Sequence, residues 1–333
     1  MDVLTQGLLG ATVAQSGSRQ AETKIATLTG FLAGLLADAD VLIRSAKDAL
    51  YTIEYHRHFT HSLIFIPAGA LIAAILLWPF MKKRLAFTRL YFYCLLGYLL
   101  SGTLDAFTSF GTYLYWPFSN ERVAWHLVSI VDPVITLLLL LSVVIGLKKQ
   151  TAYAGRIGLA LCGAYLFVNA WQLQRVENFV EDIAQQRGHT MQDIVVKPSL
   201  GNNILWRSTY IANDKIYVDA VRAGISAVKH YPGGEIKLLQ QDELREKFPA
   251  DSVLFNDIQR FTYFSDDYIA WYPGRENVIG DVRYALLPDS IEPLWGIEID
   301  ADQSDQHARF VTFRDNSKIK RDRFWSMLKG DDV

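Results

Sequence analysis

The sequence predicts an α-helical membrane domain of about five or six transmembrane or re-entrant helices, followed by a soluble α+β domain. Three observations lead there. Long apolar runs fill the first half and are missing from the second. Basic residues concentrate in alternating loops between those runs. Past Gln172 the chain turns polar, and short β-rich stretches alternate with Pro and Gly.

In chain order, the segment Val3–Ala14 is apolar but short, as a tilted or re-entrant helix would be. Ile25–Ile43 is long enough to span, although it carries Asp38 and Asp40 near its end. Ser62–Phe80, Arg89–Leu104, Leu127–Leu147 and Gly158–Leu173 run nearly unbroken over about 16 to 21 positions, enough for a ~30 Å hydrocarbon core. The expected division is therefore 1–174, membrane, and 175–333, outside it. In the second part Ile216–Val221, Phe261–Phe264, Tyr268–Tyr272, Trp295–Ile299 and Phe310–Phe313 read as strands and Gln241–Phe248 as a helix.

Acidic Asp2 stands where a signal peptide would carry basic charge, so the apolar runs are expected to stay in the mature chain. Cys94 and Cys162 both fall inside apolar runs, which leaves no disulfide framework and no CxxC metal pattern. With 33 basic against 35 acidic side chains there is no concentrated basic surface, and no nucleic-acid partner is expected. Arg19 and Lys24, Lys82 to Arg84 with Arg89, and Lys148, Lys149 and Arg156 mark one side as cytoplasmic. The poorer loops hold Arg44, Lys47, Arg57 and Arg122, so the C-terminal domain is expected on the opposite side, the periplasm of a bacterium.

That topology gathers polar residues at one non-cytoplasmic layer. Asp2, Thr5 and Gln6 start the first segment, Asp38 and Asp40 end the second, Tyr55-His56-Arg57-His58-Phe59-Thr60-His61-Ser62 precedes the third, Asp105 ends the fourth and Asp132-Pro133 stands near the start of the fifth. Ionisable groups at a membrane boundary are costly unless paired, hydrated or metal-bound. Imidazoles with nearby carboxylates can hold a divalent ion. Each also has a plainer reading: hydrated interfacial histidines, a solvated carboxylate cap, or for Asp132 an N-cap before proline. His58 and His61 would share a helical face, whereas His56 and His61 would do so only if a helix starts late, with Thr60 as its N-cap.

These motifs resemble the YdjM-like, LexA-regulated inner-membrane proteins, a family described as metal-dependent hydrolases. The resemblance rests on Asp2-Val3-Leu4-Thr5-Gln6-Gly7-Leu8-Leu9-Gly10-Ala11, Ala37-Asp38-Ala39-Asp40, His56 to Ser62, Leu104-Asp105-Ala106-Phe107-Thr108 and Ile130-Val131-Asp132-Pro133. It extends to Asn203-Ile204-Leu205-Trp206-Arg207 and Gly280-Asp281-Val282-Arg283-Tyr284. The chain departs from the family's pattern in Ala37, where Pro is common, and in lacking a histidine shortly before Asp105, where Gly102 and its neighbours stand.

The resemblance implies one or two divalent ions held by Asp38, Asp40, His56, His61 and Asp105, with His58 at a variable position. Mixed His and Asp ligands suit zinc first, then manganese or iron. The implied chemistry is hydrolysis of a lipid or other amphipathic ester at the extracytoplasmic face, with Arg57 or Arg122 on an anionic head group. The competing expectation is a non-enzymatic membrane scaffold or stress-response partner in which a structural metal or an ion-pair network fixes the helices. A transporter ranks last, because the polar residues lie near one face instead of the midplane. Among the outer aromatics, Trp206 and Trp271 suit a core or a substrate surface, and Arg207 and Arg283 suit ion pairs.

Overall fold

The computed structural model describes residues 1–333. The chain divides into two compact units: Met1–Ile43 with Tyr55–Trp171 and Leu200–Asn202, and Arg44–Glu54 with Gln172–Ser199 and Asn203–Val333.

The first unit is helical. It contains α1 (Val3–Ser16), α2 (Thr23–Leu36), the end of α3 (Tyr51–Tyr55), α4 (Ile66–Met81), α5 (Phe87–Tyr98), α6 (Ser101–Ala106), α7 (Pro133–Lys149) and the start of α8 (Tyr153–Gln186). Asp2 caps α1 by accepting from the Thr5 amide, and Asp132 caps α7 by accepting from Val134 and Ile135. Helices α1, α2 and α5 meet through glycines. A Cβ on Gly10 would lie 2.4 Å from the Gly30 carbonyl and 2.7 Å from that of Gly97, so only glycine permits this approach. The first turn of α1 is thereby brought in to face α6.

Two stretches, Gln20–Leu42 and Leu63–Met81, are long and apolar enough to cross a membrane. The second buries small residues, Gly69, Ala70, Ala73 and Ala74, and turns Ile75, Leu76 and Phe80 outward, a packing suited to lipid. The expectation of five or six transmembrane or re-entrant helices is overturned, because the other apolar runs do not form helices that meet both conditions. Arg89–Leu104 is split between α5 and α6, and α5 has 12 residues. α1 has 14 residues and α7 has 17, roughly 21 and 25 Å against a ~30 Å core. α8 has 34 residues, but buried Asn169 interrupts its apolar part, which gives way to polar sequence at Gln172.

The second unit is α+β. Antiparallel strands β1 (Asp193–Pro198), β2 (Leu205–Ala212), β3 (Lys215–Ala223) and β4 (Val228–Lys237) form one sheet in sequential order. After α9 (Gln241–Lys247) and α10 (Val253–Phe264), strands β5 (Ile269–Trp271), β6 (Val278–Asp281), β7 (Trp295–Glu298) and β8 (Arg309–Thr312) form a second antiparallel sheet. The chain closes with α11 (Lys318–Lys329). Every residue of β2 is buried. Val176, Val180 and Ala184 of α8 pack with Trp206, Tyr210 and Val221, while Ile211, Ile216 and Val218 pack with Tyr268, Ala270 and Val282. Trp206 is thus a core residue.

Phe261–Phe264 is not a strand. It ends α10, where Leu254, Ile258 and Phe261 recur at helical spacing behind a Ser252 N-cap, and that period outweighs the local aromatic content. Arg207 makes no ion pair of the kind expected: its guanidinium donates to the carbonyls of Val282, Arg283, Leu287, Pro288 and Ser290 and stitches the β2 region to the 282–290 segment. Arg283 does pair, with Asp281 at 2.9 Å and with Asp266.

The segment Arg44–Glu54 belongs to this second unit although it lies between the two candidate spans. Leu50 is fully buried among Leu244, Leu254, Ile258 and Phe261. Arg260 binds Asp48 at 2.9 Å and also Glu54.

Candidate metal centre

The local fold brings three chain segments of the first unit together. Asp38 and Asp40 lie on a 3-10 extension of α2, Ala37–Leu42. His61 ends a 3-10 turn, Phe59–His61, and Asp105 stands in the last turn of α6. Arg57 adopts a left-handed φ of 59° between His56 and His58, and its carbonyl accepts from the Tyr113 amide and the Thr112 hydroxyl. That turn reverses the chain so that residues 56–61 wrap around Asp40. Gly102 completes the approach: a Cβ there would fall 1.9 Å from the His61 carbonyl oxygen, so α6 packs backbone to backbone against His61.

Asp38, His61 and Asp105 offer ligand atoms that all lie within 4.8 Å of one another. His61 Nε2 is 2.9 Å from Asp105 and 3.4 Å from Asp38. The His61 and Asp105 side chains are fully buried, whereas that of Asp38 is 13% exposed and forms the open side.

Hydrogen bonds decide which nitrogen faces the carboxylates. Thr60 Oγ1 donates its one proton to Asp40 at 3.1 Å, so across the 3.0 Å contact with His61 Nδ1 it can only accept. Nδ1 therefore carries a hydrogen, and in the neutral ring Nε2 then points a lone pair at the two carboxylates. Nε2 makes no hydrogen bond there, and Asp38 Oδ2 has none either. Buried lone pairs facing each other are unfavourable unless a cation lies between them, and mixed imidazole and carboxylate donors suit a divalent ion. The residues present fit the metal that the resemblance implies.

Asp40 occupies a different position. Its oxygens accept from the Arg57 amide at 2.6 Å, from Thr60 and from His56 Nδ1 at 3.1 Å, and one lies 3.3 Å from His61 Nδ1. It stands behind the imidazole, where it orients the ring, and His56 is held beside it with its side chain 31% exposed. Neither joins the Asp38, His61 and Asp105 group. Thr60 caps no helix; its hydroxyl serves Asp40 instead.

Arg57 is turned inward, 3.3 Å from Asp105 and 2.8 Å from the Thr108 hydroxyl. The Met1 nitrogen also contacts Asp105. Arg122 is half-buried, donates to the Phe110 carbonyl and lies over the Phe110 ring at 4.8 Å. His58 sits among the rings of Tyr113, Trp116 and Phe59 and is not one of the Asp38, His61 and Asp105 group. Gln6 carries a role that sequence reasoning missed: its amide donates to Asp105 Oδ2 at 2.8 Å. The only sequence signal was its place in the first turn beside Asp2 and Thr5.

A second group, Asp48, Asp257 and His307, also lies within metal-binding reach in the second unit. There, however, the Arg260 guanidinium already bridges Asp48, Glu54 and Asp257, and Asp257 accepts from His307 Nδ1 and the Ala308 amide at 2.9 Å each. The cationic partner is part of the chain.

Residues 1–176 match the family described as YdjM inner membrane protein. A curated relative, the uncharacterized protein YfhP of Bacillus subtilis (strain 168), is 31% identical over 153 residues, 46% of this chain. The similar region spans 43% of that relative's length. No solved structure matches the chain.

Proposed function

The chain belongs to the YdjM inner-membrane protein family, and from that membership we propose that it is a membrane-bound, metal-dependent hydrolase of lipid or other amphipathic esters. The observation that carries the proposal is the unpaired Nε2 of buried His61 facing the carboxylates of Asp38 and Asp105. In this reading those three residues hold one divalent ion, with zinc the first choice and manganese or iron the alternatives. When bound, such an ion supplies Lewis acidity and an activated water.

The chain's own residues prepare the site. Asp40 and Thr60 fix the His61 ring through Nδ1, and Gln6 and Arg57 fix the Asp105 carboxylate. Asp38 leaves the approach side open. Arg122 is half-buried where Arg57 is enclosed, and in this reading it is the one that meets an anionic head group. Residues 44–54, from the loop that joins the two candidate spans, belong to the same compact unit as the C-terminal domain.

A second reading draws on the Arg57 to Asp105 pair: the cluster is a buried ion-pair network that fixes a non-enzymatic scaffold. Metal analysis of detergent-purified, folded protein separates the two. The hydrolase reading expects near-stoichiometric metal that is lost in His61→Ala and Asp38→Asn but kept in His58→Ala. Metal-free wild-type protein after exposure to zinc, manganese and iron would leave the scaffold. Ester hydrolysis by the loaded protein, abolished in His61→Ala, then tests the activity itself.

A further inference from the structure

A surface remote in sequence from His61 lies at the β3–β4 turn and along α11. The last paired residues of that hairpin are Ala223 and Val228, and between them Ile225 is 98% exposed. The turn is held firmly: Gly224 N donates to the Ala227 carbonyl at 2.9 Å. Gln172 donates to the Ala223 carbonyl at 2.9 Å and Arg175 to that of Gly224 at 3.1 Å. Those two residues close the stretch matched to an inner-membrane family, and they follow directly on α8 residues Phe167 and Trp171, which are 77% and 53% exposed.

The other flank of the turn meets the end of α11. Arg222 donates to the Leu328 carbonyl and Lys229 to that of Gly330, each at 2.8 Å. α11 buries Met327 against Leu205, Ala220 and Tyr231, while Trp325 stays 55% exposed. Lys318, Arg321 and Lys329 are seven and four residues before and four after Trp325, so they share its face, and all three are exposed. Asp322 is the single acid in the helix. The remaining cations are engaged elsewhere, Lys320 with Glu292 and Asp315 and Arg323 with Asp289.

We propose that Ile225 and Trp325 insert into the head-group layer of the membrane that holds the N-terminal half, with Lys318, Arg321 and Lys329 on the phosphates of anionic lipids. An indole ringed by cations suits that layer, where its apolar body and N–H are both accommodated. Anionic phosphates complement the three charges. The turn is held by Gln172 and Arg175, which in sequence follow directly on the apolar part of α8.

The test places a nitroxide at Ile225→Cys or Lys237→Cys of the full chain, since Cys94 and Cys162 are buried. Lys237 ends β4 away from the turn. Each protein is reconstituted in nanodiscs of phosphatidylcholine alone or mixed with phosphatidylglycerol. The label at 225 should be relaxed more by oxygen than by a water-soluble nickel chelate, with the reverse at 237. Adding Lys318→Glu, Arg321→Glu and Lys329→Glu should make the 225 label several-fold more accessible to nickel in the anionic discs only. Equal nickel access at 225 and 237 in both lipids overturns the proposal. So does shielding of 225 from both reagents, which means a protein or a second copy covers it, and so does an unchanged 225 label in the triple variant.

Discussion

Gly102→Ala should loosen the candidate centre from behind. The added Cβ would lie 1.9 Å from the His61 carbonyl oxygen and 2.9 Å from its carbon, and neither is a flexible side chain that can step aside. Ordinary contact begins near 3.4 Å, so the two backbones must part by roughly 1.5 Å. Asp105 rides on the same short helix, three residues on, and would be carried off a contact that is now 2.9 Å from Nε2. Overpacking of this kind costs about 1–3 kcal/mol, equivalent to roughly 5- to 150-fold in metal affinity if it falls wholly on the ligands. Gly163→Ala is the control, because a Cβ there meets nothing within 4 Å and the helix should gain up to about 1 kcal/mol. Thermal unfolding in detergent and bound metal per chain would be measured for both. A Gly102→Ala protein as stable and as metal-replete as wild type would refute the close packing of α6 on His61.

Asp40→Asn should reduce metal affinity about 10- to 100-fold without abolishing binding, as expected for a residue that orients a ligand, whereas His61→Ala should abolish it. Competition against a chelator of graded strength reads this, and complete loss in Asp40→Asn would make Asp40 a ligand. Leu50→Ala should destabilise the second unit by about 2–5 kcal/mol, although it lies outside the continuous C-terminal sequence. A denaturant midpoint unchanged from wild type would sink that assignment. Lys197 is buried with no acceptor for its amine; desolvation, with Arg207 and Arg283 adding to it, holds its pKa well below the usual lysine range against the pull of Asp281. The unfolded chain keeps that proton up to about pH 10.4, so this contribution to stability falls as pH drops from there towards the depressed value. Lys197→Met should therefore raise the melting temperature at pH 7, with the gain shrinking as pH approaches 10.4. An equal gain at both pH values would contradict it.

The sequence exposed residue types better than it exposed lengths. Apolar runs such as Leu127–Leu147 register any environment that excludes water, but the break after Tyr98 and the 17-residue length of α7 depend on how the chain packs. The accumulation of Asp and His at helix ends was legible, because such groups are expensive near lipid. The division of labour among them was not: it turns on one Thr60 hydroxyl proton, which directs Nδ1 inward and Nε2 at Asp38 and Asp105. Gln6 and Gly102 matter through contacts with Asp105 and His61, 99 and 41 positions away respectively, and no local pattern reports those. Phe261–Phe264 misled because four residues are too few to reveal a helical period.

The Arg44–Glu54 segment has a consequence for the order in which the protein is made. Glu54 and its partner Arg260 are 206 positions apart. At roughly 5–20 residues per second, Leu50 and Glu54 wait about 10–40 s before the other half of their hydrophobic core leaves the ribosome. Throughout that interval the loop between the two candidate spans has no folded partner, and an apolar side chain destined for full burial remains open to chaperones and proteases. A fragment starting at Gln172 would face the reverse difficulty, an intact sequence for two sheets with a gap at Leu50 and an Arg260 deprived of two of its three carboxylates.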